Sequence, residues 1–247
     1  ENLEAYKDEL RTLPGVIQVS ASAWVPGDKI TNWGFGAEGM EKSFSLNANL
    51  TDESYVETMG MEMLSGRYFS EDFGADTGKI VLNETAVNLL EMEDPIGKIT
   101  YLYNDRNSPY EVIGVVKDYH WESKQMEVRP HALMLLAERF RRPYYLSVRI
   151  AGSDYQKIIK TLAQDWEKYV PAIPFEYEIL DQHYDGIYKN EQQTRSLLTI
   201  FSVIAIIISC LGLFGLASFM AERRTKEIGI RKANGATTRN ILGLLSL

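Results

Sequence analysis

The sequence predicts an α+β protein: a ferredoxin-like split βαβ extracytoplasmic body with an inserted β-rich lobe, one transmembrane α-helix and a cytoplasmic amphipathic segment. Three observations support this prediction. Strand and helix patterns occur at both ends of residues 1–180, and strand and turn signals fill about residues 30–140. An uncharged apolar run then precedes a basic stretch near the end of the 247 residues. This length allows one large domain or two small ones.

The first unit of the body begins with a helix. Its apolar side chains recur at helical spacing, at Leu3, Tyr6, Leu10 and Leu13. Pro14 and Gly15 end this helix, and residues 16–22 follow as a strand. A split βαβ unit also has a strand before its helix, and we expect that strand to precede residue 1.

The second unit has the same pattern. Residues 145–150 alternate as a strand does, and Ser153 or Asp154 can cap the helix that follows. The apolar side chains of that helix are Ile158, Ile159, Leu162 and Trp166. Two prolines then end the helix, and residues 175–180 are predicted to form another strand.

The region between the units, about residues 30–140, is rich in strand and turn signals. Residues 79–82 predict a short strand, and Asn83 can cap a helix after it. That helix carries Ala86, Val87, Leu89 and Leu90. Residues 94–97 predict a turn and residues 110–117 an apolar strand. These elements together predict a β-rich lobe inserted into the body.

Residues 197–220 predict a transmembrane helix. These 24 residues carry no charge, and at helical rise they span about 36 Å, more than the hydrocarbon core of about 30 Å. A buried core helix is the alternative, but such helices rarely lack a polar face over this length. Residues 181–196 are polar and helix-compatible. We therefore expect a stalk helix that continues into the membrane helix.

The uneven distribution of charge predicts the orientation of the chain. The net charge is −8, yet residues 222–247 contain six Lys or Arg against two Glu. Since Lys and Arg stay on the cytoplasmic side, we expect residues 1 to about 195 outside the membrane and residues 221–247 on its cytoplasmic side. The acidic balance argues against nucleic acid as a partner. Cys210 is the only cysteine, so no disulfide framework is predicted.

Small side chains form a stripe within the predicted span. They are Ser202, Ala205, Ser209 and Gly212, at helical spacing. Small residues allow helices to approach closely in lipid, so we expect this stripe to pack against other membrane helices. A chance arrangement is the alternative, because small residues are common in such spans.

Motifs that could carry chemistry are weak in this sequence. The glycines of a dinucleotide pattern are present at Gly34, Gly36 and Gly39, but no helical period follows them. Residues 74–79 resemble an incomplete phosphate loop. A possible metal or acid–base set consists of Asp118, His120 and Glu122, although a polar turn after a strand is the simpler interpretation. His131 and His183 have no partners at ligand spacing. We predict no catalytic residue, cofactor or metal.

The stretch after the span combines charge with apolar residues. Ile228 and Ile230 lie among basic side chains, Gly235 interrupts the pattern, and Thr237 can cap a further helix. The apolar residues of that helix are Ile241, Leu242, Leu244 and Leu245. One interpretation is a basic anchor that lies on lipid. The other is a docking surface for a cytoplasmic partner.

Residues 223–236 resemble the signature of the FtsX/MacB-type ABC transporter permeases, approximately E-R-[RT]-x-E-I-G-I-R-[KR]-x-x-G-A. Asn234 departs mildly from the apolar residue usual at its position. Further motifs of the family occur in its order, at residues 66–69 (GRYF), 81–86 (VLNETA), 95–98 (PIGK) and 112–120 (VIGVVKDYH). Each motif alone is weak, but together they extend the resemblance from about residue 55 to residue 247. The resemblance also makes Asp118 and His120 parts of a structural motif.

This resemblance implies a permease subunit of the mechanotransmission type, with a MacB-like periplasmic core domain in residues 1–180. It implies further membrane helices, one before the domain and two after this span, and a second permease copy. A separate cytoplasmic ATP-binding subunit would contact Arg223, Arg224, Lys226, Glu227, Ile228, Gly229, Arg231 and Lys232. A periplasmic partner is possible, and substrates in the family range from peptides, macrolides and lipoproteins to none.

Two other classes of protein are weighed against the permease. If the chain were a membrane-anchored ligand sensor, a signalling domain would be expected after residue 247. The new apolar stretch that begins at Ile241 instead favours more membrane spans. An anchored extracytoplasmic enzyme predicts a clustered catalytic set, and the sequence offers none. The permease is therefore the function that the sequence favours.

Overall fold

The computed structural model describes residues 2–40, 42–74, 76–103, 105–122, 126–136, 145–152 and 155–235. The chain forms two compact units, Glu1–Ile187 and Tyr188–Leu247. The elements in chain order are α1 (Asn2–Thr12), β1 (Val16–Ser22), β2 (Asn32–Ala37), β3 (Phe44–Thr51), α2 (Tyr55–Met59), β4 (Met63–Gly66), a 3₁₀ turn (Glu71–Phe73), β5 (Lys79–Asn83), α3 (Glu84–Leu89), β6 (Ile99–Leu102), β7 (Asp105–Val116), β8 (His131–Leu135), β9 (Tyr145–Ile150), α4 (Tyr155–Tyr169), α5 (Leu180–Arg223) and α6 (Thr225–Ala233).

Residues Glu1–Ile187, called the first unit, contain the body and the lobe. In the body, α1 and α4 pack against β1 and β9. Strands β1 and β9 are antiparallel, with Val16 opposite Ile150 and Ser22 opposite Tyr145, and the register shifts between Val16 and Gln18. The core of this layer consists of Tyr6, Leu10, Val19 and Leu162. All four elements were predicted from the sequence, and their existence is confirmed. The predicted caps at residues 153 and 154 lie outside the described residues.

The predicted strand over residues 175–180 is wrong. This segment is extended, but it pairs with none of the described strands, and α5 already begins at Leu180. Phe175 packs on the ring of Trp166, with centroids 6.2 Å apart. The carbonyl of Ile179 accepts from the N–H groups of Gln182 and His183, which starts the helix. The described residues thus contain one strand and one helix from each predicted βαβ unit.

The β-rich lobe is a closed barrel of six described strands. Its strands follow the cyclic order β2-β6-β7-β5-β8-β3, and β2 closes the circle by pairing with β3 as well as with β6. Phe35 is the residue of β2 at which the pairing changes, since it lies opposite both Phe44 and Leu102. The interior is apolar and includes Phe35, Leu46, Ile80, Leu82, Val112 and Met134.

Other lobe elements follow the sequence pattern closely. The predicted strand over residues 79–82 is β5, and the predicted strand over residues 110–117 is the second half of the longer β7. Asn83 caps α3 by accepting a hydrogen bond from the N–H of Ala86 at 3.0 Å. The predicted turn lies one residue further along, where Lys98 N–H donates to the carbonyl of Pro95. These predictions are confirmed apart from their bounds.

The barrel joins the body at one end of β3. Strand β1 pairs with β3 at a single position, Ser22 opposite Thr51. The next residue along the chain, Asp52, forms an ion pair with Lys7 of α1. The two parts of the first unit therefore share a continuous sheet and a buried ionic contact.

Candidate functional site

One helix of the described chain has the length and composition to cross a membrane. It is the part of α5 from Ser196 to Arg223, 28 residues with a mean hydropathy of 2.7, and none of its most apolar window is buried. Large apolar side chains lie open along this helix, as shown by Phe214, which is 72% exposed. Burying such surface away from water gains about 25 cal/mol per Å². The predicted span, residues 197–220, lies within this segment.

The small-residue stripe lies on this helix, and its hydroxyl groups bond to the helix itself. Ser202 Oγ donates to the carbonyl of Leu198, and Ser209 Oγ donates to the carbonyl of Ala205, each at 2.8 Å. Hydroxyl groups bonded in this way leave no unsatisfied donor in lipid. The packing of Ser202, Ala205, Ser209 and Gly212 against other helices stays a prediction.

The basic segment folds as a second short helix directly after the span. Helix α5 ends at Arg223, Arg224 leaves the helical conformation with φ −99° and ψ 16°, and α6 begins at Thr225. Thr225 Oγ1 donates to the carbonyl of Glu222 at 2.7 Å, which satisfies one of the last carbonyls of α5. The guanidinium of Arg223 lies 5.0 Å from the ring centre of Phe219. The chain therefore turns within about one residue.

The predicted contact residues are displayed on and next to α6. Arg224, Lys226, Glu227, Gly229 and Lys232 are exposed, whereas Ile228 is half-buried. A Cβ atom built on Gly229 would meet no atom within 4 Å. No ion pair within the described residues uses Lys226, Glu227 or Lys232. The side chain of Arg231, and the predicted restart after Thr237, lie outside what the structure describes.

The family motifs in the lobe hold strands together. Two of their glycines, Gly66 and Gly114, let β4 and β7 approach closely. A Cβ atom on Gly66 would lie 2.2 Å from the carbonyl oxygen of Ile113, and one on Gly114 would lie 2.2 Å from that of Arg67. Arg67 makes a bidentate pair with Asp76 at 2.7 and 2.6 Å. Its guanidinium holds the pKa of Asp76 below the ordinary value. The GRYF motif is therefore a structural one.

Asp118 is likewise occupied by structural hydrogen bonds. Its carboxylate accepts from Asn83 Nδ2 at 2.7 Å and from the N–H and hydroxyl of Thr85. Its own N–H donates to Glu84. His120 is exposed, and Glu122 lies 3.8 Å from Arg129. The structure thus does not bring Asp118, His120 and Glu122 together, and no cluster suited to a metal occurs among the described residues.

The dinucleotide-like glycines lie in and after a strand. Gly34 and Gly36 belong to β2, Gly39 follows it, and β3 comes next where a nucleotide site needs a helix. An open cavity of about 300 Å³ lies beside this hairpin, lined by residues of the hairpin and by Tyr101, Leu102 and Tyr103.

Sequence reasoning missed the partners of His131, which is buried, and of His183, which is half-buried. His131 lies between Asn47 Nδ2 and the hydroxyl of Tyr119, each at 3.1 Å, and burial lowers its pKa to about 4. His183 lies between Asp28 and Glu178. The partners are distant in sequence or follow no periodic pattern, so no local signal predicts these contacts.

Two family models match this chain. The MacB-like periplasmic core domain matches residues 2–163, and the FtsX-like permease C-terminal segment matches residues 199–247. The chain therefore belongs to the FtsX/MacB-type ABC transporter permeases. Its extracytoplasmic domain precedes a helix that can cross the inner membrane.

Relatives and solved structures agree with this family. The macrolide export ATP-binding/permease protein MacB of Aggregatibacter actinomycetemcomitans is 28% identical over 81% of this chain and 32% of its own length. The uncharacterized ABC transporter permease YknZ of Bacillus subtilis is 24% identical over 94% of this chain and 58% of its own. The solved extracellular domain of YknZ from Gram-positive bacteria is 21% identical, with a TM-score of 0.50 over 67% of this chain and 82% of that domain. The chain spans about a third of the length of the MacB relatives.

Proposed function

We propose that this chain belongs to a permease that couples ATP hydrolysis by a cytoplasmic ATP-binding subunit to movement of the extracytoplasmic domain. The observation that carries the proposal is α5, one uninterrupted helix of 44 residues from Leu180 to Arg223. A helix transmits displacement along its axis, whereas a flexible linker absorbs it. Residues 181–196 are the stalk of this lever, and the apolar segment after them is its membrane part.

The cytoplasmic end of the lever is α6. The side chains of Lys226, Ile230 and Lys232 are exposed on it, and the open space around Gly229 allows another chain to approach the helix backbone. The eight residues named above, from Arg223 to Lys232, form the contact with the ATP-binding subunit in this proposal. The basic charge of the segment supports a cytoplasmic position.

The work done outside the membrane is export or extraction of a peptide, lipid-linked or drug-like substrate, or signalling to a periplasmic partner. The closed barrel and the body offer the surfaces for it. A second permease copy packs on the small-residue stripe of α5 in this proposal, because small side chains allow close approach in lipid. The ATP-binding function comes from outside these residues, since Ile80 follows Lys79 at the position where a phosphate loop needs Ser or Thr.

The test is purification of the tagged full-length protein from native membranes in mild detergent. We expect a Walker-motif ATPase, in the same chain or in a co-purifying subunit, and ATP hydrolysis that depends on the permease. A protein without ATPase, which binds a ligand through residues 1–180 and carries a signalling domain, would contradict the proposal and establish the sensor instead.

A further inference from the structure

The first turn of α5 carries a histidine that lies between two carboxylates. His183 Nδ1 is 3.0 Å from Glu178 Oε2, and His183 Nε2 is 3.6 Å from Asp28 Oδ1. The side chains of His183 and Asp28 are only 21% and 18% exposed. Asp28 belongs to the turn after β1, and Glu178 to the segment before α5. The cluster thus connects the start of the long helix to the body of the same unit.

Two polar atoms of this cluster are buried without a hydrogen-bond partner, His183 Nε2 and Asp28 Oδ2. The contact with Glu178 explains why Nε2 has no proton to donate. A carboxylate accepts hydrogen bonds, so the proton of a neutral imidazole resides on Nδ1, next to Glu178. Nε2 is then an acceptor that faces the Asp28 carboxylate, another acceptor. A separation of 3.6 Å is too long for a hydrogen bond. With a neutral imidazole, this pair therefore has no proton that could form a hydrogen bond between its two acceptors.

The turn that carries Asp28 is fixed to the barrel. Gly27 N–H donates to the carbonyl of Trp121 at 2.7 Å, and Trp121 Nε1 donates to the carbonyl of Asp28 at 2.8 Å. Trp121 is buried and packs on the ring of His131, the first residue of β8. A bond between His183 and Asp28 would therefore attach the first turn of α5 to a rigid part of the unit.

We propose that His183, Asp28 and Glu178 form a proton-operated latch that fastens the first turn of α5 to the extracytoplasmic unit in acidic surroundings. A second proton makes both imidazole nitrogens donors, so His183 bonds to both carboxylates at once. Imidazole is the side chain whose charge ordinarily changes between about pH 5 and 8. Such charge-assisted bonds are about twice as strong as neutral ones.

The described groups that face this cluster are few. Tyr145 of β9 lies beside Asp28, and burial together with its hydrogen bond to Asp28 raises the pKa of Tyr145 to about 12, so it stays neutral. The role of the latch as a regulator rests on the proposed function. In that function the latch sets how firmly α5, the lever, is attached to the extracytoplasmic domain that it moves. The proton comes from the external medium.

The test is hydrogen–deuterium exchange of the full-length protein in lipid nanodiscs, without nucleotide or partner. Amides of residues 182–187 are compared at about pH 7.5 and about pH 5.5, after correction for intrinsic exchange. We expect protection in the acid to rise about fivefold or more in the wild type, and not to rise in His183→Gln. A wild type without this rise, or a His183→Gln variant that keeps it, overturns the latch.

A matched pair of variants at Asp28 sharpens the test. Asp28→Asn supplies a side-chain N–H that can donate to the neutral Nε2, so we expect high protection at both pH values. Asp28→Ala leaves Nε2 without a partner, so we expect low protection at both. His120→Gln, at an exposed histidine, is the control that keeps the wild-type response. Low protection in Asp28→Asn or high protection in Asp28→Ala overturns the latch, and none of these results depends on whether an ATPase co-purifies.

Discussion

Lys7 of α1 and Asp52, the residue after β3, form a buried ion pair with Nζ and Oδ2 2.6 Å apart. Their side chains are only 2% and 7% exposed. The carboxylate also accepts from the backbone N–H groups of Ala21 and Ser54. The pair lies where the barrel joins the body, so it fixes α1 to the junction between them.

Lys7→Met should lower the free energy of unfolding of the first unit by about 3–5 kcal/mol, because it leaves Asp52 buried without a countercharge. Lys117→Met is the control: its pair with Glu62 is exposed, and we expect a much smaller loss. Tryptophan fluorescence during urea unfolding measures both, since all four tryptophans lie before residue 187. Equal losses would contradict the role of the buried pair.

Gly114→Ala should destabilise the lobe by about 1–3 kcal/mol or more, because the added methyl group would lie 2.2 Å from the carbonyl oxygen of Arg67. Gly36→Ala, where the nearest atom is 3.3 Å away, is the matched control and should cost less. The same unfolding experiment measures the difference. A Gly114→Ala variant as stable as Gly36→Ala would show that β4 and β7 can move apart without cost.

Stability should fall in acid because of His131. Its folded-state pKa of about 4 lies below the ordinary 6.5, so the unfolded chain takes up the proton first as the pH falls. The contribution is present above pH 6.5 and is lost between pH 6.5 and about 4, up to about 3 kcal/mol in total. Urea midpoints across this range measure it, and His131→Gln should flatten the slope. An unchanged slope in that variant would assign the acid sensitivity to other groups.

Gly229→Leu and Glu227→Lys should uncouple ATP hydrolysis from transport or signalling if α6 contacts the ATP-binding subunit. Both residues belong to the second unit, so the unfolding of the first unit should be unchanged. Gly229→Ala is the conservative control, because a methyl group fits the open space and favours the helix by up to about 1 kcal/mol. ATPase assays with and without the permease make the comparison. Full coupling in Gly229→Leu would exclude a close contact at this position.

A flexible Gly-Ser insertion between residues 190 and 191 should abolish coupling while leaving ATPase binding intact. The insertion replaces a rigid helical step with a chain that absorbs displacement. An insertion of the same length made from Ala and Glu keeps the helix and should retain more activity. Co-purification and transport assays separate binding from coupling. Equal activity of the two insertions would remove the lever from the proposed mechanism.

The elements that the sequence predicted well are those with local signals. Helix α1 and strands β1 and β9 are bounded by proline, glycine and apolar periodicity, and their observed bounds agree closely with the predicted ones. The strand over residues 175–180 failed because a strand requires a neighbour to bond with, and apolar alternation does not supply one.

The remaining features depend on contacts between distant residues. Closure of the barrel depends on Phe35 pairing with two different strands, and no pattern within β2 encodes this. One partner of His183, Asp28, likewise comes from a turn that is far away in the sequence. In contrast, the basic segment after the span could be predicted, because its family signature is continuous from Arg223 to Ala236.

The closed circle of strands in the lobe has a consequence for how it can be recognised. A sheet without a free edge cannot accept an additional strand, so a peptide cannot bind the barrel by β-augmentation. Any partner of the barrel must instead contact its side chains and loops. The order of strands places β9 at the end of the sheet, and β4 pairs with β7 alone. Among the described strands, β9 and β4 are therefore where backbone hydrogen bonds remain available to another chain.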